Sequence, residues 1–223
     1  MFAAKRCFSS GLLRIEALRH YKNVQFNGWT NRYCSQNISI PKKRTYTFNC
    51  YGFVNHCVKN VSPKAYNELT HKMNYTLAPY FPPSVDGQPC PFNLNTIFKL
   101  LRLTHWETIQ AIADIKPGDI ISYVPPKYKP PRLPEVDRLN TGTHVMIVDK
   151  VVKKTPTATH LMIIDSTRSP HCKLDTRFPK GSGIGKSPVV LKLNRKYVNV
   201  QWTLGKRETP KELVIARLNH PLV

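Results

Sequence analysis

One cysteine and one histidine stand where the sequence favours nucleophilic chemistry. Cys50 follows Asn49, a residue type that caps helices, and apolar residues continue at helical spacing after it, so Cys50 is expected in the first turn of a helix. The positive end of the helix dipole favours a thiolate there, and the thiolate is the nucleophilic form of cysteine. Because cysteines at helix starts are also commonly buried structural residues, position alone does not decide. His144 begins a β-branched stretch further along the chain, and a histidine at a strand start could serve as the base for Cys50. Its presence favours a catalytic interpretation of Cys50 over a structural one.

Helices precede strands in the part of the chain that must position these residues. Apolar residues at helical spacing predict helices over 49–61 and 64–73, and one or two helices over 94–114. Short β-branched stretches bounded by Pro, Gly or Thr predict strands over 119–124, 144–152, 159–165, 189–193, 198–204 and 213–218. A run of neighbouring strands after the helices indicates an α+β domain with an antiparallel sheet, not alternating parallel units.

The composition is that of a basic globular chain. Its 223 residues include 34 Lys and Arg against 13 Asp and Glu, which gives a net charge of +21, and 41% of the residues are hydrophobic. This length fits one domain or two small ones, and this hydrophobic fraction suffices for a core, which excludes wholesale disorder. The charge predicts long-range attraction to anions, such as nucleic acid, acidic membrane faces or anionic polymers, without choosing among them.

The N-terminal segment is basic and lacks a continuous apolar stretch. Lysine and arginine residues interrupt the first 21 residues, so no secretory signal is recognised, and no apolar run in the chain approaches the roughly 18 residues of a transmembrane segment. We therefore expect the protein in the cytoplasm or delivered by a non-classical route. For this segment an amphipathic helix is preferred over an organellar transit peptide, because apolar residues recur at helical spacing: Leu12, Leu13, Ile15 and Leu18.

Three motifs in order resemble the NlpC/P60 superfamily of papain-like cysteine hydrolases. They are Asn49-Cys50-Tyr51-Gly52-Phe53-Val54, Pro117-Gly118-Asp119 and His144-Val145-Met146-Ile147. The segments 165–167, 169–171, 175–177 and 183–185 resemble a poorly characterised bacterial branch of this superfamily. The resemblance covers the chain from about residue 44 to its C-terminus. It implies a papain-like α+β fold in which N-terminal helices, including the nucleophile helix, pack on an antiparallel β-sheet. Residues 1–44 are then a basic helical extension and residues 45–223 the catalytic domain.

The resemblance also implies roles for individual residues. Cys50 corresponds to the nucleophile and His144 to the base. The family orients its histidine with a third polar residue from the following strand, and Asp165 at the end of that predicted strand is our choice. His160, at the start of the same strand, is the alternative, because many family members use a second histidine.

The sequence departs from the family pattern beside the nucleophile. Asn49 stands where the family has Asp, and it can still cap the helix. Tyr51 stands where the family has Ser, which places a bulkier group next to Cys50. A tyrosine upstream of the nucleophile often lines the family's site, and Tyr33 and Tyr46 are the candidates.

Other signals are weaker. The six cysteines contain no C-x-x-C pair, so a four-ligand zinc site of the usual spacing is not indicated, and a reducing compartment argues against disulfides. The segment 181–187 resembles a phosphate-binding loop, but Lys180 stands where the first glycine is required, so a flexible loop is predicted. His171 and Cys172 are interpreted as a surface pair. The proline-rich stretch 125–134 is expected to be a loop.

The sequence is consistent with two classes of function. The first is a cysteine hydrolase without a cofactor that cleaves an amide bond of a peptide-type substrate through a Cys50 thioester, with His144 as base. Most of the family acts on cell-wall peptides, but without an export signal a cytosolic peptide, an acyl substrate or the target of a delivered effector stays open. Deamidase and acyltransferase reactions on the same residues stay open as well. The second is a basic protein that binds nucleic acid or an anionic polymer on an inactive hydrolase fold.

Overall fold

The described part of the chain forms four α-helices, all in its first half. The structure is a computed structural model that describes residues 8–34, 37–77, 87–126, 142–194, 197–202 and 209–219. The helices are α1 (Phe8–Phe26), α2 (Cys50–Val61), α3 (Pro63–His71) and α4 (Pro91–Leu100), and a π-helical stretch (Lys72–Leu77) continues α3. Short 3-10 helices span Pro41–Lys43 and Ile112–Asp114. None of the described helices is both long enough and apolar enough to cross a membrane.

Ten strands in two sheets lie within the described ranges. The strands of the small sheet are β1 (Thr30–Arg32), β2 (Ile38–Ile40) and β3 (Thr45–Thr47), with β3 in the centre. The strands of the large sheet are β4 (Trp106–Ile109), β5 (Ile120–Val124), β6 (His144–Lys154), β7 (Ala158–Thr167), β8 (Gly183–Asn194), β9 (Tyr197–Gln201) and β10 (Thr209–Leu218). All pairs in the large sheet are antiparallel.

The large sheet closes into a barrel. Strands β5 to β9 follow one another, and β10 pairs with β5 on one side and with β9 on the other, so six antiparallel strands form a ring, and β4 adds to β10 outside it. Val200 shows the closure directly, since it lies opposite Leu191 of β8 and opposite Thr209 of β10. The predicted papain-like α+β fold, with helices packed on an open antiparallel sheet, is therefore wrong: β9 is paired along both of its edges.

Alternation along the strands separates two cores. One apolar cluster lies on the face turned into the barrel and includes Ile121, Met146, Ile163 and Val189. The neighbouring positions, among them Ile120, Val145, Ile147 and Ile164, belong to a second cluster that they share with the helices. From α1, Leu13 and Ala17 are fully buried in this second cluster, and from α2, Phe53 and Val58. The helices therefore cover the outside of the barrel. The division of the chain at residue 44 stays a prediction.

Several predicted elements are confirmed and others are wrong. The helix over 49–61 and the strands beginning near 120, 144 and 159 are present. The helical prediction over 94–114 fails in its second part, because Leu101 is extended (φ −112°, ψ 142°) and Trp106–Ile109 forms β4. The flexible loop predicted over 181–187 is wrong, since β8 begins at Gly183. Most of the predicted proline-rich loop 125–134 lies outside the described residues, as do residues 1–7.

Candidate active site

Cys50 lies at the start of α2 as the sequence predicts. Asn49 is the N-cap, and its side-chain oxygen accepts a hydrogen bond from the Gly52 N–H at 2.8 Å, while the Phe53 N–H donates to the Asn49 carbonyl at 3.1 Å. Cys50 is 5% exposed. The two hydrogen bonds to Asn49 come from the N–H groups of Gly52 and Phe53. The Cys50 N–H, at the positive end of the helix, takes part in neither of them.

A close approach of the chain fixes this helix start. The side-chain oxygen of Asn37 accepts a hydrogen bond from the Asn49 N–H at 2.9 Å. A Cβ atom at Gly52 would lie 1.8 Å from that same Asn37 oxygen, so a larger residue at position 52 would displace the Asn37 side chain from its bond to Asn49. On the barrel side, the Ser166 hydroxyl donates to the Phe48 carbonyl at 2.6 Å. The residues just before Cys50 are therefore tied both to the small sheet's loop and to β7.

His144 connects Cys50 to the barrel. It is the first residue of β6, and its Nε2 lies 2.6 Å from Asp165 Oδ2 near the end of β7. Burial opposes the charged form of the ring, but hydrogen bonds to Asp165 and to Cys50 outweigh it, and the pKa of His144 is raised above its ordinary value of 6.5. Because Nε2 faces Asp165, Nδ1 is the ring nitrogen left for Cys50.

Asp165 is a fully buried carboxylate with three cationic or titratable neighbours. Its Oδ2 also accepts a hydrogen bond from His171 Nε2 at 2.7 Å, and its Oδ1 lies 2.7 Å from Arg177 Nη2. Burial raises the pKa of this carboxyl, but the charges of Arg177 and His171 and the hydrogen bonds from both rings outweigh burial, and the pKa is held well below its ordinary value. Asp165 is therefore ionised at neutral pH.

Asp175 holds Arg177 in place. Two guanidinium nitrogens, Nε and Nη2, each lie 2.8 Å from an oxygen of Asp175, and Arg177 Nη1 donates to the Gly183 carbonyl at 2.8 Å. The His171 N–H also donates to Asp175, at 2.9 Å. The segment 171–177 thus folds back on Asp165 and delivers both His171 and the Arg177 charge to it.

Aromatic rings surround the imidazoles. Trp202, the residue after β9, stacks on His171 with ring centroids 3.6 Å apart and meets His144 edge-on at 5.9 Å. Tyr123 of β5 lies opposite His144 in the strand register, and its ring is 6.0 Å from the imidazole. Burial, and secondarily the negative charge of the nearby Cys50 in its ionised form, raise the pKa of Tyr33 to about 12. Tyr33 is therefore an un-ionised phenol next to the cysteine.

The three predicted site residues lie together, whereas His160 and Tyr46, two of the alternatives, lie elsewhere. Cys50, His144 and Asp165 form one chain of contacts. His160, the alternative to Asp165, lies opposite Lys153 toward the far end of β7. Of the two tyrosine candidates Tyr33 is at the site, whereas Tyr46 stacks on Trp29 at 4.5 Å and accepts a hydrogen bond from Asn23.

Sequence reasoning missed His171, Arg177 and Trp202. The prediction that His171 and Cys172 form a surface pair is wrong for His171, whose side chain is 13% exposed and bonded to Asp165. Its position six residues after the strand-end Asp165 is a signal in the sequence, because a chain reversal of that length returns to the strand end. No pattern near Trp202 indicates that it reaches this place.

Among the residues that the structure describes, two clusters have ligand atoms close enough to hold a metal ion. His144, Asp165 and His171 place their nitrogen and oxygen atoms within 4.8 Å of one another, and so do Glu16, His20 and His56 between α1 and α2. In the first cluster these atoms already share hydrogen bonds of 2.6 and 2.7 Å. In the second, Arg19 Nη2 lies 2.6 Å from Glu16, which opposes a further cation.

Comparisons with protein-family models, with curated proteins and with solved structures found no match. What the site can do therefore follows from its own residues. A cysteine at a capped helix start, an imidazole with a raised pKa and an ionised buried carboxylate make the arrangement that nucleophilic catalysis requires.

Proposed function

We propose that this protein is a cysteine hydrolase that cleaves an amide bond. Cys50 is the nucleophile, His144 the base and Asp165 the residue that orients the histidine. The observation that carries the proposal is the position of His144, which interacts with Cys50 on one side and lies 2.6 Å from Asp165 on the other. All three side chains are buried, so their interactions are little screened by water.

The reaction has two halves. His144 takes the Cys50 proton, and Sγ attacks the carbonyl carbon of the substrate, where the Cys50 N–H at the helix start donates to the developing oxyanion. The intermediate collapses with cleavage of the C–N bond, and the leaving amine takes the proton from His144. In the second half His144 removes a proton from water, the resulting hydroxide breaks the thioester, and Cys50 recovers its proton.

The surroundings of His144 favour its charged form, which both halves of the reaction need. Asp165 stays ionised because Arg177 and His171 face it, and its negative charge stabilises the imidazolium. Trp202 and Tyr123 keep the rings in a largely apolar setting. The pair of Cys50 and His144 is thereby prepared before substrate binds.

Deamidation and acyl transfer use the same residues and differ in the leaving group or in the acceptor of the acyl group. The order of the NlpC/P60-like motifs supports attack by Cys50 with His144 as base, which all three reactions have in common. The closed barrel does not support the fold of that family. Mass spectrometry of the products distinguishes the three reactions: hydrolysis releases a free acid, deamidation releases ammonia, and transfer gives a new amide or ester.

Alkylation of Cys50 tests the proposal. With iodoacetamide at about pH 6.5, we expect Cys50 to react at least about tenfold faster than Cys90, and His144→Ala to remove most of this advantage. Cys90 is a matched internal control, because it also stands at a helix start, where its thiol donates to Asn93. Mass spectrometry locates the modified residue. Equal Cys50 rates in the wild type and in His144→Ala would contradict the proposal.

The charge of +21 favours a second function, binding of nucleic acid or an anionic polymer. Such binding requires neither Cys50 nor His144. It would leave the contacts around Asp165 without a role, so we place it second.

A further inference from the structure

We propose that an apolar cavity beside this site binds the acyl chain of the substrate, so that the bond cleaved belongs to a long aliphatic acyl group. This inference rests on the proposed function and specifies its substrate class. The cavity has a volume of about 640 Å³, within the roughly 300–1,000 Å³ typical of ligand sites.

The walls of the cavity are mostly apolar. Strands β7 and β8 contribute Leu161, Val189 and Val190, and the segment after Asp165 contributes Leu174 and Phe178. Leu161 and Val189 are each 1% exposed and belong to the barrel core, so the inner wall of the cavity is rigid. Such a surface is favourable for methylene groups and costly for unpaired polar groups.

The cavity adjoins the proposed catalytic residues. His171 and Trp202 line it, and their rings are stacked 3.6 Å apart. The same His171 is bonded to Asp165, and the Trp202 ring is 5.9 Å from that of His144. A chain that fills the cavity against these two rings therefore ends one ring away from the base that serves Cys50.

The exposed rim favours an apolar occupant of this kind. Three large apolar residues of the rim are exposed to solvent: Leu174 is 76% exposed, Val152 is 59% exposed and Phe178 is 50% exposed. Of the lining residues that the structure describes, none is a carboxylate and Lys173 is the cationic one apart from the histidines. The described lining holds no counter-charge for a cationic side chain, and most of its residues are apolar. A linear acyl chain needs no polar partners along its length.

A series of acyl esters measures the preference. In p-nitrophenyl esters the C–O bond breaks, nitrophenolate leaves and water completes the acid, so acetate, butyrate, hexanoate and octanoate differ only in chain length. We expect kcat/KM to rise by about fourfold per methylene group until the cavity is filled. Equal kcat/KM across the series, or a decrease with length, would overturn the inference.

Substitution of the rim ties the preference to this cavity. Leu174→Asp places a carboxylate at the mouth, and we expect it to lower the octanoate-to-acetate ratio of kcat/KM by about tenfold. Leu100→Asp is the matched control, because Leu100 is 72% exposed at the end of α4 and is not among the residues that line the cavity. An identical loss in both variants, or none in Leu174→Asp, would contradict the assignment.

Binding without reaction separates this inference from the proposed function. Cys50→Ala cannot form a thioester, so decanoate binding to it, measured by calorimetry, reports the cavity alone. Binding that is lost in Cys50→Ala/Leu174→Asp supports the inference. If short esters are hydrolysed through Cys50 but decanoate does not bind, the inference fails and the proposed function stands. If decanoate binds but esters are not hydrolysed through Cys50, the proposed function fails, and the cavity's role in a substrate site fails with it.

Discussion

Asp165 concentrates the electrostatics of the site in one carboxylate. One oxygen accepts hydrogen bonds from His144 and His171, and the other faces Arg177. Since Asp165, His144 and Arg177 are buried, removal of the negative charge takes the counter-charge from both imidazoles and leaves Asp175 as the remaining carboxylate that faces the guanidinium. Asp165 therefore affects both the protonation of His144 and the stability of the barrel end.

Asp165→Asn should separate activity from ordinary stability effects. We expect kcat/KM to fall by about 10²- to 10⁴-fold, because the amide does not stabilise charged His144. Asp149→Asn is the matched control: Asp149 is also buried and pairs with Arg14 at 3.0 Å and Lys186 at 2.7 Å, away from Cys50. The control should lose stability but keep its kcat/KM. Circular dichroism verifies that both variants are folded, and a similar loss of activity in both would argue against the role of Asp165.

His144 predicts a pH dependence of stability. Its pKa is raised in the folded chain, so its contribution to the free energy of unfolding is complete below the ordinary value of about 6.5 and is lost as pH rises through the folded value. The difference in unfolding free energy between the wild type and His144→Gln should therefore shrink as the pH of urea titrations is raised from about 6 to about 9. A difference that grows over this range would contradict the raised pKa.

At this scale the sequence predicts residues that begin or end an element. Cys50 and His144 each open an element and Asp165 lies near the end of one, so local patterns place them. His171 and Trp202 lie outside the helices and strands, in irregular stretches. Their stacking joins positions far apart in the chain, and such a contact leaves no local pattern.

The start of α2 depends on two asparagines and one glycine. The Asn37 side chain accepts a hydrogen bond from the Asn49 N–H, and the Asn49 side chain accepts one from the Gly52 N–H. Gly52 has no side chain, which leaves space for that of Asn37. Each contact restricts the backbone around Cys50. The direction of the Cys50 N–H, and hence the proposed oxyanion site, is a property of this helix start.

Removal of the cap should affect stability and reactivity together. Asn49→Ala should lower the free energy of unfolding by about 1 kcal/mol and slow Cys50 alkylation, because the first turn loses a fixed position. Ser62→Ala is the matched control, since Ser62 caps α3 by accepting from the Ala65 N–H at 3.3 Å. It should cost a similar free energy without changing the Cys50 rate. If both variants slow alkylation equally, general destabilisation explains the effect.

Elements are predicted well where their residues have one strong preference. The β-branched stretches in β6 and β7 and the capped stripe of α2 are examples. Strand β8 has Gly183 and Gly185 near its start and contains Pro188, and these residue types disfavour strands. The stretch is a strand because it pairs with β7 from Gly183 to Lys192. Tertiary pairing there overrides local preference.

At the scale of the molecule, closure of the sheet is the feature that sequence could not supply. Alternating strands are expected equally for an open sheet and for a barrel, because both bury one face of each strand. The difference lies in the pairing of β9 with β10, which joins only three residue pairs, Thr209↔Val200, Pro210↔Asn199 and Lys211↔Val198. A contact this short has no signature in composition or periodicity.

The net charge gives a prediction for the whole chain. We expect binding to heparin, measured by calorimetry, to weaken by more than about tenfold between 50 and 200 mM salt and to be the same in Cys50→Ala as in the wild type. Neutral dextran serves as the control polymer and should not bind. Binding that is insensitive to salt would show that the charge of +21 does not drive the association.

The last described strand in chain order, β10, has a consequence for synthesis. It pairs with β4, β5 and β9, so the ring is incomplete until Thr209–Leu218 has been made. A ribosome releases the chain from its N-terminus onward, and Cys50 emerges long before the strands that carry His144 and Asp165 and the strand that closes the barrel. The contacts among Cys50, His144 and Asp165 can therefore form only after β6 and β7 have been made, and the ring can close only after β10 has been made.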